Sequence, residues 1–449
     1  MFCGDVPFGL ISRIYPLRGL PGQGQLWSWI SFDVANQSFT LLINTLLFSI
    51  FFPQVVVRDP AVDDWLWSLV YAASMMRVVI ASPVAGAIVD ARACKKLGLM
   101  LSGFACAALT CALGLIQPGQ FWIAVLIYVP ANFAFNIGEN FLAAFLPQLA
   151  RREDFGRVSG FSWGVAYTAA LVMLVLTALT MRELNLKDPN QWRPFFVGAG
   201  LWFFAFSIPT LLFLREGSVA ADPGGNLLTV GFKRLARTAR EVRRFRDLGM
   251  LLLASFFYGG GISVIVAFAS ILAVEFGFTQ VELVIYVAVI TVTGILGTMI
   301  PTFLQDRLGH KKMTLVLLIA WVLTALYIAW ISFQHAHAPP NVPEPTWPVW
   351  LAGNLLGLGL GALGSANRAF VGFLTPPDRS GEFFGLWGLV FKLAAVLVIP
   401  FGYVKDAWGT WQAMIVLAGM LLVGLLLTMM IDEGRGEDAA KGPKGQIAK

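Results

Sequence analysis

The chain is predicted to be an all-α membrane protein: twelve transmembrane helices in two pseudo-symmetric six-helix bundles. Three observations predict this. Apolar runs near the length of one bilayer crossing, roughly 20 residues, recur along most of the 449 residues, and the composition is 57% hydrophobic and 13% charged with a mean hydropathy of +0.73. Lysine and arginine fall mainly in alternate loops. A short acidic-to-basic loop also occurs twice, with aspartates at 90 and 306, which are 216 residues apart. Such a composition excludes an ordinary soluble globule.

In chain order the expected spans are 28–53, 66–89, 98–116, 121–146, 158–181 and 194–214. After a polar segment come 248–274, 281–304, 313–333, 348–374, 382–404 and 410–431. They are helices one to twelve. Their apolar period is helical rather than alternating, which excludes a transmembrane barrel. With the N-terminus inside, 24 of the 32 basic residues lie in cytoplasmic segments and 5 in outside loops. The other three, Arg77, Arg368 and Lys392, lie within spans. Positive loops stay on the cytoplasmic side, so both termini are expected there. The basic pI is then mostly topology, with no nucleic-acid partner implied.

The expected organisation is a cytoplasmic N-terminal tail (1–27), a first bundle (28–214), a basic linker (215–247), a second bundle (248–431) and a cytoplasmic tail (432–449). Cys3, Cys94, Cys106 and Cys111 form no disulfide framework. The first 25 residues lack a basic start followed by an apolar core, so no cleavable signal peptide is expected. In the linker, Leu227, Leu228, Phe232, Leu235, Ala236, Ala239, Val242 and Phe245 recur at helical spacing among arginines and lysines. That pattern suits an amphipathic helix on an anionic leaflet, and equally a linker obeying the positive-inside rule.

The two halves match at several places. Gly86-Ala-Ile-Val-Asp90-Ala-Arg92-Ala-Cys-Lys95-Lys96 follows helix two, and Thr302-Phe-Leu-Gln-Asp306-Arg307-Leu-Gly309-His-Lys311-Lys312 follows helix eight. Phe145-Leu146-Pro147 with Trp163-Gly164 is echoed by Phe373-Leu374-Thr-Pro376 with Trp387-Gly388. A duplicated bundle is the architecture of many secondary transporters. The six-plus-six chain resembles the major facilitator superfamily. Three stretches resemble the fungal vacuolar amino-acid effluxers linked to autophagy and their bacterial relatives. These are Phe32-Asp33-Val-Ala35-Asn36-Gln37-Ser38-Phe39, then Asn140 through Pro147 with Gly156-Arg157-Val158-Ser159-Gly160, and Pro376-Pro377-Asp378-Arg379 with Gly381-Glu382-Phe383-Phe384-Gly385. The second repeated loop has Thr302 where the superfamily has a glycine, and the first lacks the glycine between its aspartate and lysines. The resemblance implies that Asp90, Asp306, Arg307, Lys311 and Lys312 stabilise one side of an alternating-access cycle. It also implies a bacterial inner-membrane location.

Charge within spans is expensive, about 2.5–3.5 kcal/mol per residue at a helix centre by insertion scales, so such groups face a partner or a watery cavity. Asp33, Asn36, Gln37, Thr40 and Asn44 share one face of an ideal helix one. Asn132, Asn136, Glu139 and Asn140 share one face of helix four, and Asn354, Gly361, Ser365 and Arg368 line helix ten. At about 1.5 Å per residue, Asp33, Glu139 and Arg368 sit roughly 7–9 Å from the cytoplasmic edge. Arg77, Asn44 and Lys392 sit roughly 15–18 Å in.

The candidate assignments follow. Arg77 and Lys392 bind an anionic substrate group from opposite halves. Asp33 and Glu139 serve proton coupling or a gate with Arg368. The structural alternative is a static buried pair among those three. Gly353, Gly357 and Gly361 are expected to allow close contact. Gly259-Gly260-Gly261 and Pro301 are expected as bends, and Trp65, Trp67, Trp192 and Trp347 as interfacial anchors. No phosphate-binding loop and no cluster of metal ligands is present, so no cofactor, metal or enzymatic activity is expected. The expected function is secondary transport of a small polar metabolite, amino-acid-like or anionic, by a monomer, with proton coupling or uniport both open. A lipid or drug-like substrate and a non-transporting receptor or scaffold are the alternatives.

Overall fold

The computed structural model describes residues 17–18, 20–150, 154–217, 227–339, 345–376 and 380–441. Among these there is no strand, and twelve helices are long and apolar enough to cross a membrane. Helices one to six are Gln23–Val57, Asp63–Arg92, Lys95–Leu113, Phe121–Ala143, Phe155–Glu183 and Arg193–Phe213. A linker helix, Leu227–Glu241, follows. Helices seven to ten are Arg246–Glu275, Gln280–Leu308, His310–Ala336 and Trp347–Leu374. Helix eleven runs from Ser380–Leu393 through a tight turn at Ala394–Leu397 into Val398–Trp408, and helix twelve is Thr410–Met429. The twelve expected spans are all present, mostly extended by a few residues. His310 and His335, expected outside the spans, are the first and next-to-last residues of helix nine.

The packing repeats as the sequence does. Helix three packs on four and six, one on five and six, and two on four; nine packs on ten and twelve, seven on eleven and twelve, and eight on ten. The halves meet where helix two lies on eleven and five on eight, the same contact related by the repeat, and where helix one meets seven.

Apolar attraction between helices is weak in lipid, so close approach of backbones matters most. Helices eight and ten show this: a Cβ on Gly361 would lie 1.9 Å from the Gly294 carbonyl oxygen, and one on Gly297 would lie 2.0 Å from that of Leu358. The expected close contact of helix ten is therefore present. In the first half, Phe48 stacks on Tyr128 with ring centres 4.7 Å apart, and Trp67, Phe52 and Phe196 complete a buried aromatic cluster. Trp67 and Trp192 are fully buried, not interfacial. Tryptophan at a span end is ambiguous, because the same large ring fills a core once a neighbour covers it.

Neither expected site breaks its helix, and the changes of winding fall elsewhere. Helix seven is continuous through Gly259–Gly261, whose open faces are filled by Phe391, Leu397 and Leu421. Helix eight continues through Pro301. Helix one instead widens into i→i+5 winding over Ser38–Leu47 and again over Phe52–Val57. In helix eleven the tight turn precedes Pro400, whose ring nitrogen cannot donate to Val396 four residues back.

The repeated loops end alike. The backbone N–H groups of Lys95 and Lys96, opening helix three, donate to the Glu216 carboxylate at 2.6 and 3.0 Å. The N–H of Lys311, at the start of helix nine, donates to Glu433 at 2.6 Å. A carboxylate is favoured at a helix N-terminus, where donors are unpaired and the macrodipole is positive. Where the second loop uses Gly309 at φ 87°, the first turns through Ala93 at φ 48°, so the missing glycine is replaced by a residue held in the left-handed region. The side chains of Asp90 and Asp306 lie outside the described residues.

Candidate functional site

Helix four is the spine of a polar layer set among apolar helices, buried at Asn132 and Asn136 and reaching the surface at Asn140. Asn132, fully buried, accepts on Oδ1 from Asn44 of helix one and from Asn136, each at 3.1 Å, and donates to Ser74 Oγ of helix two at 2.6 Å. The Tyr128 hydroxyl donates to Asn44 Oδ1 at 3.0 Å. One turn on, Asn36 Nδ2 donates to the Glu139 carboxylate. Asn140 Nδ2 donates to Ser82 Oγ at 3.0 Å. Asp33, also buried, accepts from Ser162 Oγ of helix five at 2.6 Å. Buried polar groups need such partners, and the dense pairing keeps these helices in register.

One cation enters from the other half. Lys392, just before the tight turn of helix eleven, donates through Nζ to Asn140 Oδ1 at 2.7 Å and to the Asn136 carbonyl at 3.2 Å. These partners lie nearer the linker end than Asn132 and Asn44. The ammonium therefore sits at the level of Glu139 and Asn140, because the long side chain carries the charge away from its own Cα. A cavity of about 150 Å³, lined by Ser82, Gly86, Lys95 and Asn140 among others, opens beside this layer at the linker end.

Eight of the expected residues are thus drawn together: Asp33, Asn36, Asn44, Asn132, Asn136, Glu139, Asn140 and Lys392. Four are not. Among the described residues, Arg77 and Arg368 are exposed and make no hydrogen bond or ion pair. Arg77 thus makes no bond into this layer, and no static pair links Arg368 to Asp33 or Glu139. Asn354 donates back to Trp350 in its own helix at 2.7 Å, and Gln37 keeps a buried Oε1 without a partner among the described residues. The single face drawn for helix one holds only as far as Gln37. Beyond it the wider winding turns each residue through a smaller angle, which brings Asn44 to the side where Asn36 meets helix four, while Asp33 meets helix five. Of the loop cations, Lys311 Nζ donates to the Ile431 carbonyl at 2.6 Å, while Arg307 and Lys312 are exposed.

Sequence reasoning missed a second cluster, at the end opposite the linker. Lys405 of helix eleven pairs with Asp64 of helix two at 2.5 Å and with Glu275 of helix seven at 3.2 Å. Asp406 accepts from the backbone N–H of Trp65 at 2.8 Å, and Thr410 donates to Glu275. Trp67 Nε1 donates to the Ala267 carbonyl at 3.0 Å, and Ser270 donates to that of Thr45. Together these close one end of the interface between the halves. The available signal was the Asp63-Asp64 and Lys405-Asp406 pairs at span ends, which resemble ordinary loop charges. Also missed was Asn367, fully buried beside Ser255 and Tyr258, its Nδ2 without a partner among the described residues.

The profile described as "Vacuole effluxer Atg22 like" matches residues 67–156 and 153–441. An uncharacterized MFS-type transporter of Bacillus subtilis, YxiO, is 24% identical over 384 residues, covering 82% of this chain and 85% of the relative. Autophagy-related protein 22-1 of Penicillium rubens is 26% identical over 298 residues, 63% of this chain, and the match spans 50% of that longer protein. Among solved structures, the nucleoside transporter NupG superposes with a TM-score of 0.67 at 14% identity, covering 91% of this chain and 98% of that one. A D-xylose-proton symporter gives 0.65 at 13%, covering 92% and 99%. At such identities these structures establish the fold alone. Profile, relatives and fold agree, and the chain belongs to the Atg22-like vacuole effluxer family, as a multi-pass membrane transporter of the major facilitator type.

Proposed function

We propose that this protein moves a small polar metabolite, amino-acid-like or anionic, by alternating access between the halves 28–214 and 248–431. The observation that carries this is Lys392, a half-buried charged group of the second half bonded to helix four of the first where the polar layer opens to the surface at Asn140. Of its three N–H donors, two are used. The third meets a substrate carboxylate or other anion. On the first half, Asn36 Oδ1 and Gln37 Oε1 are buried acceptors without partners among the described residues, and Glu139 stands beside them. A molecule with a cationic or hydroxyl end and an anionic end spans these two sets.

With both termini cytoplasmic in a plasma membrane, the Lys405 cluster faces outside and acts as the outer gate. The loops bearing Asp90, Asp306, Arg307, Lys311 and Lys312 act at the inner one. Asp33 and Glu139 carry the coupling proton, and the protein works as a monomer without cofactor or enzymatic activity.

The test is substrate-dependent thermal stabilisation of purified protein across amino acids, organic acids and sugar phosphates, repeated with Lys392→Ala. Stabilisation by a carboxylate-bearing compound is expected, and it vanishes in the variant; an equal response in Lys392→Ala removes the anion site. No stabilisation anywhere in the set moves lipid or drug-like substrates to the front. In vesicles, Glu139→Gln abolishes uptake driven by a pH gradient. Unchanged proton dependence in that variant rejects Glu139 as the coupling group.

A further inference from the structure

We infer that the exposed basic face of the linker helix and the turn after it is a docking surface for anionic phospholipid headgroups. In the helix Leu227–Glu241, Lys233, Arg237 and Arg240 stand at offsets 0, 4 and 7, one stripe along the surface, and all three are exposed. Arg243, Arg244 and Arg246 extend the exposed cations to the start of helix seven. Beside this stripe, at offsets of 3 or 4, lie Phe232, Ala236 and Ala239, also exposed. A row of cations next to a row of apolar side chains matches the boundary between headgroups and acyl chains.

The charge is not neutralised within the segment. Its acids among the described residues are Glu241 and Asp247, and Asp247 is buried and held by Arg435 at 2.6 and 2.8 Å. The segment is also fixed at the membrane edge. Val242 packs on Gly249, and Phe245 meets Phe383 edge to face with ring centres 5.6 Å apart. The helix itself lies against helices two and eleven, one from each half. Arginine forks match phosphate oxygens, and anionic lipid is the phosphate-bearing surface that also receives an exposed phenylalanine.

The experiment uses the full chain in detergent with added phosphatidylglycerol or phosphatidylcholine. Lipid retention is read by native mass spectrometry and stabilisation by thermal melting. The wild type is expected to retain phosphatidylglycerol preferentially. Lys233→Gln/Arg237→Gln/Arg240→Gln/Arg243→Gln/Arg244→Gln loses that preference by about tenfold or more, while Arg92→Gln/Arg215→Gln, which removes two cations at the same end, keeps it. Equal retention of both lipids by the wild type, or wild-type retention by a folded five-site variant, overturns the proposal. Should that variant fail to fold, a salt titration of the wild type decides. Exposed charges are screened, so added salt releases the anionic lipid, and salt-insensitive retention overturns the docking surface. Preferential retention of an oligonucleotide over the lipid also counts against it.

Discussion

Lys405→Ala is expected to open the end of the protein opposite the linker. The lysine is the cation between Asp64 and Glu275, with Asp63 and Asp406 close enough that one oxygen from each of Asp63, Asp64 and Asp406 lies within 4.8 Å of the others. Removing it leaves carboxylates facing one another across the two halves. Breaking a buried pair by deleting one partner costs about 3–5 kcal/mol. Asp64 is 7% exposed at its side chain, but Glu275 is 34% exposed, so screening by solvent lowers the expectation to about 2–3 kcal/mol. That shifts the balance between open and closed states roughly 30- to 160-fold.

A cysteine at Ser270, in an otherwise cysteine-free chain, reports the shift. Ser270 is fully buried where helix seven meets helix one. A membrane-impermeant maleimide applied from the Lys405 side should leave it unlabelled in the parent and label it readily in Lys405→Ala. Adding Asp64→Asn removes the unpaired buried charge and should reverse part of the effect. An unchanged labelling rate in Lys405→Ala would show that the cluster does not gate that end.

Gly361→Ala is expected to be the most disruptive single methyl group in the second half. Its Cβ falls 1.9 Å from the Gly294 carbonyl oxygen. That oxygen belongs to a helix backbone, so helices eight and ten must separate along their contact. Overpacking costs about 1–3 kcal/mol, and the upper end applies where no flexible side chain can yield. Gly364→Ala, three residues on, meets nothing within 4 Å and should be neutral or stabilising by up to about 1 kcal/mol through helix propensity. Thermal melts by fluorescence-detected size exclusion compare the two. Gly297→Ala added to Gly361→Ala should cost less than its effect alone, because the helices have already been forced apart. Equal melting of Gly361→Ala and Gly364→Ala would refute this account of the contact.

Helix number and class were legible because a bilayer imposes a length and a polarity on each crossing, and the apolar runs record both. The polar face of helix four was legible for a related reason: asparagine and glutamate in lipid require partners, and their spacing in a regular helix leaves one direction to point. The same argument overreached in helix one. Its register to Asn44 assumed uniform winding, and nothing local to Ser38–Leu47 announces the wider coil. In helix eleven the signal existed, since Pro400 removes a donor four residues after Val396. Arg77 and Arg368 were placed by the cost of charge in lipid, which says that a charge must find water or a partner without saying which.

The carboxylate caps on helices three and nine carry a consequence for descent. Each is closed by a glutamate from the same half, Glu216 for Lys95 and Lys96, Glu433 for Lys311. The cap therefore belongs to the repeated unit rather than to the joined pair. Two copies of such a unit in one chain need no new way to finish either helix. The two units differ instead along the spans, where Glu139 and Arg368, each eight residues before Pro147 and Pro376, carry opposite charge.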